Sequence, residues 1–283
     1  MNKEGRKIKT LPPMTMMTAY IMPERNDASN IFSAEIDITE TDKFICEQRS
    51  NGLKGLGLLH VIIAAYIRTV AMYPGINRFI RGQKIYARNS IEICLTIKKK
   101  LLLNTQDTVI KYFAKPTDTL CDVYEGINGL VEDNRREGDT NNMDNTARLL
   151  VHIPSVFLKF TIWLLKSLDY FGLLPRFLTK LSPFHASMFI TNMGSLGIPS
   201  IYHHLYNFGN VPIFFSLGSK RTAYITNSDG SVEKRKFIDL KVVCDERICD
   251  GHYYASAFKS VKKCIENAQI LSVAPDCVKE DIE

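Results

Sequence analysis

Apolar and polar residues alternate along Ile31 to Ile38 and again along Ser90 to Lys98, where Ile91, Ile93, Leu95 and Ile97 take every second position. A period of two predicts half-buried strands. Between them the period lengthens: Leu59, Ile62, Ile63, Tyr66, Ile67 and Val70 share one helical face of Leu58 to Met72, and Pro74-Gly75 closes that helix. Val109 to Ala114 predicts a third strand. Leu120, Val123, Ile127, Leu130 and Val131 return to helical phase, and Asp133 to Asn145, rich in Asn, Asp and Gly, predicts a loop. Met188 to Thr191 and Val211 to Leu217 read as buried strands. Ala223 to Asp239 reads as a hairpin around Asn227-Ser228-Asp229-Gly230. A last strand, Phe237 to Cys244, precedes a helix with Ala257, Val261, Cys264, Ile265 and Ala268 on one face.

The first fifteen or so residues, with Pro12-Pro13, predict an extended arm. Helices and strands interleave throughout with no internal repeat, which predicts one α/β domain (an α+β two-layer arrangement) with a mostly buried mixed sheet. The expected boundaries are an arm over 1–25, the domain over 26–275 and a tail over 276–283.

His152 to Leu174 is the most apolar stretch, but Lys159, Lys166 and Asp169 interrupt it, and Pro154 and Gly172 punctuate it. It lacks the ~18 uninterrupted apolar residues of a membrane span. A buried or interface-capping helix pair is expected. A surface role on a membrane is the weaker reading, resting on the stripe Phe157, Phe160, Trp163 and Leu164.

With 283 residues, 45% hydrophobic and 23% charged, the chain can bury a sizeable core. Its net charge of +6 is a modest excess without the clustered basic face of a nucleic-acid binder. The runs Lys98-Lys99-Lys100 and Lys234-Arg235-Lys236 read as solvated strand ends, with an anionic-ligand surface as the alternative. Seven cysteines without a C-x-x-C pair suggest reduced thiols and a cytoplasmic protein, and no secretory signal is recognised after the basic N-terminus. No cysteine, histidine and carboxylate spacing suggests a metal site.

Four segments in order resemble the catalytic domain of 2-oxo acid dehydrogenase acyltransferases and the related chloramphenicol acetyltransferases. They are Glu35-Ile36-Asp37-Ile38-Thr39 (E-x-D-x-T), Pro74-Gly75-Ile76-Asn77 (P-x-x-N), Phe189 to Gly194 (F-T-I-S/T-N-x-G) and Asp245 to Gly251 (D-H-R-x-x-D-G). The resemblance implies a chloramphenicol acetyltransferase-like mixed sheet flanked by helices, a homotrimer, and an active site between subunits that takes acyl-CoA and a small thiol or hydroxyl acceptor. It also implies roles for individual residues: Thr191 as oxyanion donor, Asp250 as the aspartate that fixes the loop, and Asn192, Gly194 and Gly251 around coenzyme A. At the family's histidine base stands Glu246.

That departure matters chemically. Carboxylates ordinarily titrate near 4.3 and thiols near 8.5, so a carboxylate lifts a thiol proton against ~4 pK units unless burial narrows the gap. Two readings follow: an acyltransferase with Glu246 or a substitute as base, or a binding or scaffolding trimer without turnover. His204 and His252 are the candidate substitutes, and the neighbouring His203 could reach the pocket with His204. The tetrapeptide Glu40-Thr41-Asp42-Lys43 matches a lipoylation site by chance, being placed inside the domain, and Gly194-x-x-Gly197 is too short for a dinucleotide loop.

Overall fold

In the computed structural model, which describes residues 4–98, 107–136 and 154–283, strand β1 (Gly5–Lys7) is followed by helix α1 (Pro13–Ile21). The extended arm expected here is instead partly helical, because Pro13 occupies the first helical position behind Pro12. A proline at that position forfeits no helical hydrogen bond and arrives with φ preset, so the pair starts a helix. Strand β2 (Ser29–Asp37) leads into α2 (Thr39–Ser50), α3 (Leu58–Met72), β3 (Phe79–Arg81) and β4 (Lys84–Arg88). Then come β5 (Ile91–Lys98), β6 (Asp107–Ala114), α4 (Leu120–Arg136), α5 (Ser155–Tyr170), α6 (Arg176–Leu181) and β7 (Met188–Asn192). The chain finishes with β8 (Ile213–Leu217), β9 (Arg221–Thr226), β10 (Val232–Asp245) and α7 (Gly251–Glu266). Helix α4 continues through Asp133 to Arg136, which were read as loop; the rest of that stretch lies outside the described residues, as do His152 and Ile153.

Among the described residues, seven strands form one mixed sheet in the order β2-β10-β8-β7-β5-β6, with β9 paired to the outer half of β10. Only β7 runs parallel to its neighbours, β5 on one side and β8 on the other. The hairpin arm and the last strand, expected as separate pieces, are one uninterrupted strand in β10, paired from Val232 opposite Thr226 to Asp245 opposite Ser29. A smaller sheet, β1-β4-β3, lies apart.

The strand period of two separates two apolar layers. Leu95, Ile190, Phe215 and Val242 join the main core with Ile62, Ile63, Tyr66 and Ile67 of α3 and Ala257, Val261 and Ile265 of α7. Cys94, Phe189, Phe214 and Val243 face the other way, into a small cluster closed by Leu205 and Val211. The second layer is where the loop between β7 and β8 lies.

Residues near the C-terminal end brace this core. Buried Arg78 takes the Asp281 carboxylate with two nitrogens, at 2.7 and 2.5 Å, and reaches the Ile248 carbonyl at 3.1 Å. Burial opposes the Arg78 charge, but the Asp281 hydrogen bonds and charge outweigh it and hold the guanidinium above its ordinary range. Removing one member of a buried pair strands the other. Asp281→Ala should therefore cost about 3 kcal/mol or more of unfolding free energy, measured by urea denaturation; a loss below a few tenths would show that Arg78 does not depend on this partner.

Candidate active site

The Asp245 to Gly251 loop is set by a buried ion pair. Asp245 and Arg247, 1% and 2% exposed, meet twice: Nε to Oδ1 at 2.8 Å and an NH2 nitrogen to Oδ2 at 2.7 Å. Arg247 also donates to the carbonyls of Met22 and Pro23, and Arg25 approaches Asp245 Oδ2 at 3.4 Å. Tyr254 from α7 donates to the Asp245 carbonyl at 2.8 Å. With both neighbours held inward, the residue between them turns out: Glu246 is exposed, and its backbone N–H donates to the Ala28 carbonyl. Arg247 is committed to Asp245 and is not available to neutralise Glu246.

Asp250 is the N-cap of α7, its carboxylate accepting the Tyr253 N–H at 2.8 Å. That satisfies one of the open donors at the helix start and fixes where the loop ends. Gly251 is exposed at the first helical position, with open space where a Cβ would stand.

Thr191 lies near the end of β7, 8% exposed, on the face that carries Phe189. Its Oγ1 is 3.0 Å from His203 Nε2, with the Phe215 carbonyl behind at 3.5 Å. The imidazole stacks on Phe214, ring centres 4.1 Å apart and planes 17° from parallel. Among the described residues its Nδ1 has no partner. Asn192 caps the following turn by accepting the Ser195 N–H at 3.1 Å. Gly194 allows that turn to lie on the next strand's exit, since a Cβ there would sit 2.4 Å from the Gly218 carbonyl oxygen. Asn192 and Gly194 thus shape the turn that presents Thr191.

The sheet register places the two motifs at opposite ends. Thr191 pairs with Ser216, and Ser216 with Lys241. Glu246 lies five residues further along the β10 direction, roughly 17 Å at strand spacing. Thr191 and Glu246 of one chain therefore do not meet.

Of the histidines, His204 is exposed, with Nδ1 3.4 Å from the Leu205 carbonyl, and His252 is exposed on the first turn of α7. The partner of Thr191 is His203. The sequence shows the His203-His204 pair but not which ring turns inward; Phe214, the aromatic that holds the ring, belongs to another strand. Arg25 at the Asp245 knot has no signal at all in the sequence. Of the basic run at 234–236, Arg235 pairs with Glu233 and Asp37, and Lys236 with Asp42 at 2.5 Å, as strand-end charges do. Among the described residues no group of side chains is arranged to hold a metal ion.

Burial, and then the charge of His204, push His203 below the ordinary imidazole range; burial does the same to His60, whose Nδ1 accepts the Gly57 N–H. The unfolded chain then binds more protons than the folded one once pH falls below about 6.5. Stability is expected to drop as pH is lowered through that value, and His203→Asn should flatten the fall. Urea midpoints taken at stepped pH test this; an unchanged slope in the variant would remove His203 from the effect.

Residues 183–273 match the family model described as 2-oxoacid dehydrogenases acyltransferase (catalytic domain), a span that takes in Thr191, Glu246 and Asp250. No curated protein matches the chain by sequence. A probable dihydrolipoamide acetyltransferase from Listeria monocytogenes superposes with a TM-score of 0.60 at 14% identity, over 92% of this chain and 94% of that one. The cubic core of a pyruvate dehydrogenase multienzyme complex gives 0.60 at 13% identity, over 94% of each chain. A chloramphenicol acetyltransferase gives 0.50 at 12%, over 92% and 99%. The chain resembles these acyltransferases and has their fold, a mixed sheet flanked by helices.

Proposed function

We propose that this chain, folded as the acyltransferase cores are, transfers an acyl group from a CoA thioester to a small thiol or hydroxyl acceptor. The site forms between copies in a homotrimer. The observation that carries the reading is the Thr191 hydroxyl fixed at 3.0 Å by the His203 ring. Held as the Nε2–H tautomer, the imidazole donates to Oγ1 and leaves the threonine proton free for an incoming oxygen.

The chemistry then runs as follows. A base takes the acceptor's proton, and the acceptor's sulfur or oxygen attacks the thioester carbonyl carbon. The carbonyl electrons move onto oxygen, where the Thr191 O–H stabilises the oxyanion. Collapse re-forms the carbonyl and breaks the carbon–sulfur bond, and the departing CoA thiolate receives a proton. Asp250 keeps the loop in place, while Asn192, Gly194 and Gly251 border the CoA channel. Glu246 of an adjacent copy stands at the base position, a reading supported by the ~17 Å that separates the two motifs along the strands of one chain.

The exposure of Glu246 supports a second reading, a trimer that binds CoA without turnover, because the dry surroundings a carboxylate base needs have to come from the neighbouring copy. Acetyl-CoA offered with a panel of thiols and alcohols decides between them, with free CoA followed by chromatography. Turnover should fall about 10²- to 10³-fold in Thr191→Val and survive in Thr191→Ser. Glu246→His should lower the rate and move the pH optimum if the carboxylate is the base. If the native chain does not turn over, the same substitution should raise activity from near zero. Full activity in Thr191→Val would exclude the assigned oxyanion donor.

A further inference from the structure

Helix α5 has two apolar faces. Leu158, Leu165 and Leu168 turn partly inward, and near the C-terminal end Asp169 is buried at 3.2 Å from His185 and 3.7 Å from Arg81. On the opposite side Val156, Phe157, Phe160, Trp163 and Leu164 are exposed, Phe157 at 64% and Trp163 at 60%. A surface helix ordinarily turns polar residues outward. Within one chain, the helix pair expected to be buried or to cap an interface is buried on its inner side alone.

The apolar surface continues past the helix. Gly172, at φ +71°, and Leu173 end α5 by donating to the carbonyls of Asp169 and Leu168, a turn that needs the left-handed glycine. The turn leaves Phe171, Leu173 and, on α6, Phe177 exposed. A surface cavity lined by Tyr20 and Tyr170 links this region to α1, where Met14, Met17 and Ile21 are also exposed.

The exposed charges of α5 and α6 have one sign, the exposed acid Glu24 bordering the groove beside Lys166. Lys159 and Lys166, one heptad apart, edge the outer stripe of α5, and Arg176 and Lys180 lie exposed on α6. Among the described residues none of the four has an ion-pair partner. The one acid of α5, Asp169, is turned inward.

We infer that this face docks on an anionic membrane surface, with α5 lying in the plane of the headgroups. Exposed aromatics and leucines edged by cations are the composition of in-plane interfacial helices. At roughly 24 Å, α5 is also too short to cross the hydrocarbon core. No helix of the described residues is long and apolar enough to span a bilayer. A two-fold partner copy fits less well, since packing of like faces would bring Lys159 and Lys166 against each other; a cyclic trimer pairs unlike surfaces instead, and access to Trp163 in lipid-free protein distinguishes that case. The inference is independent of whether the chain turns over acyl-CoA.

Trp163 is the only tryptophan in the chain, so intrinsic fluorescence reads this face alone. Vesicles of phosphatidylcholine with phosphatidylglycerol should shift its emission to the blue and let brominated lipid quench it, with a much smaller response to phosphatidylcholine alone. Lys159→Gln with Lys166→Gln should weaken partitioning roughly thirtyfold. Phe157→Ser with Phe160→Ser should abolish it. These side chains face outward, so the variants should keep the native circular dichroism and melting behaviour. Unchanged emission with both vesicle types would overturn the inference. So would equal binding to neutral and anionic vesicles, or a Trp163 already shielded from iodide in lipid-free protein, which would mean another copy covers the face.

Discussion

The buried pairing of Asp245 with Arg247 sets the geometry on which the motif loop depends. Two charges taken out of water are tolerable because their nitrogens and oxygens are matched, with Arg25, Tyr254 and the Met22 and Pro23 carbonyls satisfying what remains. The pair joins three distant parts of the chain: the segment after α1, the end of β10 and the start of α7. Because its two members flank position 246 and both point inward, the residue between them must point out. The loop thus presents whichever side chain stands there, histidine or glutamate, with no change in its own architecture.

The elements with strong periodicity were legible. Leu58–Met72 is a helix over the range its apolar face marks, and Ile91, Ile93 and Leu95 enter the main core as their alternation requires. Legibility failed where context overrides pattern. Pro12-Pro13 reads as extended because proline excludes helix interiors, but not the first helical turn. The apolar stretch around Trp163 reads as buried because apolar residues usually are, and sequence does not record which side another layer covers.

The candidate site was half legible. Thr191, Asp250 and Glu246 lie in contiguous motifs, and the structure gives Asp250 its capping partner and Thr191 its buried place at a strand end. The partner of Thr191 was not legible, since it depends on Phe214 holding one of two adjacent imidazoles. Nor does any motif state that the two turns stand at opposite ends of one sheet. That comes from β10 running antiparallel to β8 while β7 runs parallel to it.

The unbroken β10 has a consequence for how the gene can change length. Its side chains alternate without interruption from the hairpin tip to Asp245, so a single codon inserted between Phe237 and Asp245 would exchange the inner and outer sets beyond it. Core residues such as Val242 would then face the second layer, and the Asp245 carboxylate would leave its guanidinium. Insertions in the Asn227 to Ser231 turn escape this, being taken up beyond the sheet. Length variation among descendants of this chain should accumulate at the hairpin tip and be absent from the strand that leads into the loop.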